Sequence, residues 1–393
     1  MHLFSYTANN DVEKDMTVLK GIPLNHPRSA SHGGTRRSVG LATWFTRSGG
    51  VMMSRILLAA AGVICAGMAH ATTVAVSGLA EGVAVGGGYA YVANGFNGVQ
   101  VVDVSKPGFP VWVSSARTPD YAYQAVADGH FVYVAASGSG LQVVDVSHAK
   151  APAIVGSADT PGNAYGVAVS GRYAYVADGV QGLQVIDVSN ASAPARISGA
   201  KLPGDAQGVT VVGQYAYVAD GNKGLQVVDI SNPRAPKAVA AVNTPGDSKA
   251  VAVANGHAYV ADVEGLQVID VSNPKDPKIV GSAGALYDAV SVAAAGNYVY
   301  VGNSMGYGIV NNSAGDLGDH VGDGELQVID VSNPKRPLPV GLADLQGNAL
   351  GVAVRGDYAY VAQGVSGMNI LDISHPSAPV YVKTTGGVVQ WGS

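Results

Sequence analysis

Cysteine is all but missing. One in 393 residues, Cys65, excludes a disulfide framework and a zinc site built on thiolates. Charge is scarce as well. Asp, Glu, Lys and Arg make up 13% of the chain against 47% hydrophobic residues, a balance opposite to that of a disordered protein. The formal net charge of −5 offers no basic surface, so no nucleic-acid partner is expected. Beyond residue 71 no apolar run reaches the length a bilayer requires, so no transmembrane segment is expected there. No hydrophobic pattern of helical period interrupts the runs described below.

What is present divides the chain in three. Residues 1–51 are polar, with Arg36-Arg37 and many Ser, Gly and Thr. They read as a disordered leader or as a stretch upstream of a true start at Met52 or Met53. Residues 52–71 read as a secretory signal peptide: Arg55, an apolar run from Ile56 to Gly67, then Ala69-His70-Ala71. Cleavage is expected after Ala71. Cys65 follows Ile64, not the small residue a lipidation signal needs. Residues 1–71 hold seven Lys/Arg and three Asp/Glu, so 72–393 carries a net charge of −9 and no cysteine. This suits an exported protein, whether periplasmic, secreted or on the cell surface.

Residues 72–393 repeat themselves. Val99-Gln-Val-Val-Asp103 returns as Leu141 to Asp145, Leu183 to Asp187, Leu225 to Asp229, Leu266 to Asp270, Leu326 to Asp330 and Met368 to Asp372. The aspartates are 42, 42, 42, 41, 60 and 42 residues apart. Seven copies of this length point to a propeller or a solenoid. Each unit carries four strand signals, such as Gly166-Val-Ala-Val169, Tyr173-Ala-Tyr-Val-Ala177, Leu183 to Val188, and a fourth from Pro194. Gly, Asn, Asp and Pro punctuate them. A four-stranded sheet with two apolar faces needs cover on both, and radial stacking supplies it. The expected fold is all-β: a seven-bladed β-propeller of four-stranded antiparallel blades filling roughly residues 74–385. The segment from Val74 is expected to add to or replace the outer strand of the last blade, next to Val380-Tyr-Val-Lys383. The spacing of 60 marks an insertion at 303–325 in blade six.

The LQVVD and LQVID strings, each preceded by a Tyr-Ala-Tyr-Val-Ala type run and followed by Val-Ser-Asn-Pro, resemble the LVIVD repeat family over nearly all of 72–393. The resemblance implies a β-propeller in an exported or cell-surface setting. It implies no defined reaction, and it makes the motif aspartates structural.

The residues themselves agree. Each motif Asp ends a strand before a turn, where a carboxylate accepts turn amides. Asn94, Asp178 and Asp220 precede glycines and read as hairpin chemistry. Gly302-Asn-Ser304-Met-Gly306 matches G-x-S-x-G by spacing, but a Gly-, Asn- and Ser-rich stretch follows where the hydrolase elbow needs a helix. His130, His148, His257 and His375 read as exposed turn residues. Asp316, Asp319, Asp323 and Glu325 in the insertion are oxygen ligands that Ca²⁺ accepts, though not at EF-hand spacing.

The repeats differ most just before their first, innermost strands. Glu81, Gln124, Tyr165, Gln207, Lys249, Asp288 and Leu350 hold those positions, with Tyr121, Tyr123, Asn163, Asp205, Asp247, Tyr287 and Asn348 nearby. Small residues follow them: Ala84, Ala127, Ala168, Thr210, Ala252, Ser291 and Ala353. In a propeller these positions ring one mouth of the channel, and variable loops on a rigid scaffold are where binding sites form. The expected function is a non-enzymatic scaffold binding a protein, peptide or glycan there. The alternatives are a metal-assisted hydrolase or lyase near the insertion, and a purely structural surface or adhesion component.

Overall fold

The structure is a computed structural model that describes residues 73–74, 78–284, 288–304 and 324–382. Among these residues every regular element is a strand, and no helix is long and apolar enough to cross a membrane. The strands form seven antiparallel sheets, each ordered first to fourth from the axis outwards. Blade 3 illustrates them: Gly166–Ser170, Tyr173–Ala177, Leu183–Asp187 and Ala195–Ala200.

The two-residue period of the strands explains why the blades must close into a ring. In blade 3, Tyr175, Ala177, Leu183 and Val185 face blade 4, meeting Ala216, Val218, Val228 and Ile230. Ala174, Val176, Ile186 and Val188 face the other way, onto Tyr133, Leu141 and Val143 of blade 2. Each neighbouring pair repeats this arrangement, giving seven inter-blade cores. One of them joins Tyr360, Met368 and Ile370 of blade 7 to Val92, Val102 and Val104 of blade 1, which completes the circle. Each fully buried Leu, Ile or Val in such a core contributes roughly 1.5–3 kcal/mol. No blade could keep that contribution alone in water.

The first and last described strands meet as the sequence suggests. The third strand of blade 7, Met368–Asp372, carries two outer partners. Thr73 and Val74 pair with Asn369 and Met368, while Val380 and Tyr381 pair with Asp372 and Leu371. In blade 3 one continuous outer strand fills this slot, with a bulge between Val185 and Ile186. Blade 7 divides the slot at the corresponding point, so the N-terminal strand adds to the C-terminal one and does not replace it.

Backbone pairs lock one face of the ring. The hairpin between second and third strands bridges the segment leading into the next blade: Gly95 with Ala122, Ser137 with Ala164, Gly179 with Ala206, and Gly221 with Ser248. The bridge between Ala80 and Gly364 repeats this across the closure. Hairpins and lead-in segments therefore share one end of the channel. In blade 6 the second strand runs through Asn303 to Ser304 and the third starts at Glu325, with Asn303 and Glu325 paired. Both expected bounds of the insertion thus lie within strands. Asp316, Asp319 and Asp323 lie outside the described residues.

Candidate binding site at the channel mouth

The innermost strands approach one another closely. A Cβ on Gly82 would lie 2.8 Å from the Tyr123 carbonyl oxygen, and one on Gly351 would lie 2.6 Å from that of Glu81. Glycine therefore opens the first strand in blades 1, 3, 4 and 7. This spacing corrects the reading of two mouth positions. Gln124 pairs with Ala135, as Gly82 pairs with Ala93, so it is the first strand residue and Tyr123 is the lead-in residue. The Gln124 side chain accepts a hydrogen bond from the Val167 amide of blade 3 at 2.7 Å; it staples blades together. Asp288 pairs with Ser304 at the start of an eight-residue strand with a bulge between Ala289 and Ser291. Val290 therefore holds the lead-in position, and Asp288 lies two residues before it. Among the small residues, register puts Val126 and Ala293 in place of Ala127 and Ser291. The Ser291 hydroxyl donates to the Ala349 carbonyl at 2.7 Å.

Four of the remaining candidates converge. Tyr121 and Tyr123 lead into blade 2, and Tyr165 leads into blade 3. The Tyr121 and Tyr123 ring centroids are 4.7 Å apart, and those of Tyr123 and Tyr165 are 5.0 Å apart. The Tyr121 hydroxyl donates to the Glu81 carboxylate from blade 1. Burial pushes the Glu81 carboxyl above its usual range, and that hydrogen bond draws it part of the way back. The Tyr123 hydroxyl is raised by burial first and by Tyr165 next.

Phe96 extends the row and was not legible as a site residue. It sits at the tip of the blade 1 hairpin, 71% exposed, with its ring edge-on to Tyr121 at 4.9 Å and 89°. Gly95 permits this: its φ is +53°, and a Cβ there would come within 2.9 Å of the Tyr121 ring. The signal available in the sequence was the hairpin tip itself, which reads Phe96, Gly138, Val180 and Asn222 in successive blades. The four rings cross from blade 1 to blade 3. At Tyr165 the row reaches a cleft of about 470 Å³, lined also by Pro161, Asn163, Val180, Gln181 and Asp205. Val180 is 61% exposed.

The mouth turns polar beyond the cleft. The Gln207 amide donates to Asp205 at 2.6 Å, and Lys249 pairs with Asp247 at 3.5 Å. Both charges of that pair are partly solvated, so it contributes little to stability. Tyr287 lies outside the described residues.

The other candidates resolve into structure. All seven motif aspartates accept the amide of the serine two residues on, at 2.8–3.0 Å. Those serine hydrogen bonds hold the carboxyls below their usual range; Arg172 adds the largest pull at Asp187. Asp178, Asp220 and Asp262, fully buried at the ends of second strands, accept the amides of Gly162, Gly204 and Gly246. They fasten each lead-in segment to its own blade. Ser304 of the G-x-S-x-G string lies in a strand and is buried. His130, His148 and His375 are exposed, and His257 is partly so. Among the described residues no group of three or more His, Cys, Asp or Glu is placed to hold a metal ion.

Comparison with known proteins agrees with this architecture. The LVIVD repeat profile matches residues 73–118, 120–160, 161–198, 203–244, 245–284, 288–311, 320–342 and 346–385. No curated protein matches the chain. The WD40 β-propeller domain of Doa1 superposes with a TM-score of 0.58 at 9% identity, over 79% of this chain and 96% of that one. Sqt1 of Saccharomyces cerevisiae gives 0.55 at 9% identity over 78% and 85%. BamB from Moraxella catarrhalis gives 0.50 at 14% identity over 76% and 84%. Identities this low speak for the fold alone.

Proposed function

The chain belongs to the LVIVD repeat family, and from that premise we propose that it is an exported binding scaffold whose ligand lies across the mouth of the channel. One observation carries the reading: the row Phe96, Tyr121, Tyr123 and Tyr165, drawn from three blades onto one face and ending at the cleft beside Val180. Aromatic rings give large contact area at small entropic cost, and their edges and hydroxyls orient a partner. Asn163, Gln181 and Asp205 supply hydrogen-bonding groups next to the apolar surface. Such a surface fits an extended ligand, a peptide segment of a partner protein or a glycan chain. Closure of the ring fixes the four rings on one rigid frame, so little ordering entropy remains to oppose binding.

Export rests on residues 52–71, which have the charge, apolar run and cleavage pattern of a signal peptide.

The test is capture by the immobilised protein from an envelope extract and from a glycan panel. Wild type is compared with a Tyr123→Ala/Tyr165→Ala variant. Loss of the captured species, with the circular dichroism spectrum unchanged, supports the reading. Equal capture by both overturns it.

A further inference from the structure

Blade 6 breaks a rule that the other six keep. The residue just before the apolar start of the third strand is glycine in those blades: Gly98, Gly140, Gly182, Gly224, Gly265 and Gly367. In blade 6 it is Glu325, only 8% exposed. A carboxylate taken out of water costs several kcal/mol or more unless something pairs with it. Its cross-strand partner is Asn303, which is fully buried.

The acceptors there outnumber the donors. Glu325 Oε2, Asn303 Oδ1 and Asn348 Oδ1 are all shut off from solvent without a hydrogen-bond partner. Asn303 Nδ2 is the one side-chain donor among these groups, and its two N–H groups cannot serve all three acceptors. Gly324 draws the set together. A Cβ on it would lie 2.6 Å from the Asn303 carbonyl oxygen and 2.8 Å from Asn348 Cα. Burial and the Asp344 charge push the Glu325 carboxyl up, and the Asn303 side chain eases it.

Residues 303–325 contain no Lys or Arg to balance this excess; His320, the basic residue of that stretch, lies outside the described residues. Lys335 and Arg336 of the same blade belong to the turn after the third strand, at the opposite end of the sheet.

We propose that Glu325, Asn303 and Asn348 bind a calcium ion at the base of the blade 6 hairpin. Carboxylate and amide oxygens are hard donors, which suits Ca²⁺ and excludes softer metals. Water completes the coordination of a site with one buried carboxylate. Few charged ligands place its affinity in the range of extracellular modules, about 10⁻⁴–10⁻³ M. The site is separate from the aromatic row, so the two readings stand or fall independently.

The experiment titrates the full chain with CaCl₂ and with MgCl₂, by calorimetry and by thermal unfolding. Saturable Ca²⁺ binding is expected, with a rise in the unfolding midpoint that Mg²⁺ does not reproduce. Glu325→Gln is expected to weaken it at least about 10-fold, as loss of a buried carboxylate ligand should. Glu325→Gly, the residue of the six other blades, is the second variant and is expected to fold with binding lost. Absence of saturable Ca²⁺ binding to the wild type overturns the proposal. So does equal binding by both variants, or binding lost only on substitution of Asp316, Asp319 and Asp323.

Discussion

The Thr160 hydroxyl donates to the buried Asp178 carboxylate at 2.6 Å. One blade on, the same two positions hold Leu202 and Asp220. Leucine offers no hydroxyl, and Asp220 Oδ1 is left buried without a partner. Burial raises the Asp220 carboxyl to about 6; the Gly204 amide opposes the rise, and Asp205 adds to it.

A pH signature follows from this orphaned oxygen. The folded chain holds the Asp220 proton more tightly than the unfolded chain, whose value is near 3.8. Stability therefore falls as pH rises from about 4 through about 6, since the native state binds more protons in that window. Denaturant melts at pH 4.5 and pH 7 check it, with Asp220→Asn as reference. The wild type should lose stability relative to the variant on going to pH 7. Leu202→Thr should restore the missing donor and shrink that loss. Equal pH dependence in wild type and Asp220→Asn would refute this.

The motif aspartates behave oppositely. Their carboxyls are lowered, so the stability they contribute is present above about 4 and lost as pH falls through their folded values. Asp145→Ala should lower the unfolding midpoint modestly and leave ligand capture at wild-type level. Loss of capture with no change in midpoint would give this residue a role other than the turn.

The inter-blade cores set the cost of internal truncation. Leu183 is fully buried between blades 3 and 4. Leu183→Ala should cost about 2–5 kcal/mol in denaturant unfolding, from lost burial plus a cavity. A cost below about 1 kcal/mol would mean the two blades do not pack as described.

The divided outer strand of blade 7 makes closure dependent on both Thr73–Val74 and Val380–Tyr381. Removal of residues 72–77 deletes the pairs of Thr73 and Val74 with Asn369 and Met368. Hydrogen exchange should then rise first along Met368–Asp372 and the bridge of Ala80 with Gly364. Exchange rising first in another blade would contradict the clasp.

The sequence discloses this fold unusually well because one pattern is written seven times, and each copy demands cover on both faces. The mouth was legible only in part. Tyr121, Tyr123 and Tyr165 stand out because they replace Asn, Asp and Gln at equivalent positions. Phe96 did not, because an isolated aromatic in a hairpin looks like any exposed residue until Gly95 is seen to let Tyr121 lie against it. Gln124 and Asp288 misled because blade 2 lacks the opening glycine and blade 6 carries a bulge; both obscure where the strand begins. The buried role of Asp178, Asp220 and Asp262 was hidden behind their Asp-Gly or hairpin context. The partners they share are the backbone amides of Gly162, Gly204 and Gly246, and a backbone amide leaves no mark in the sequence.

Hydrogen exchange of the full chain, with and without its captured ligand, shows where on the ring the ligand lies. Protection is expected at one end of the ring alone: the hairpins 94–98 and 178–182 and the lead-in segments 118–123 and 160–165. Protection confined to the outer strands, or to the turns at the opposite end of the channel, would contradict that placement.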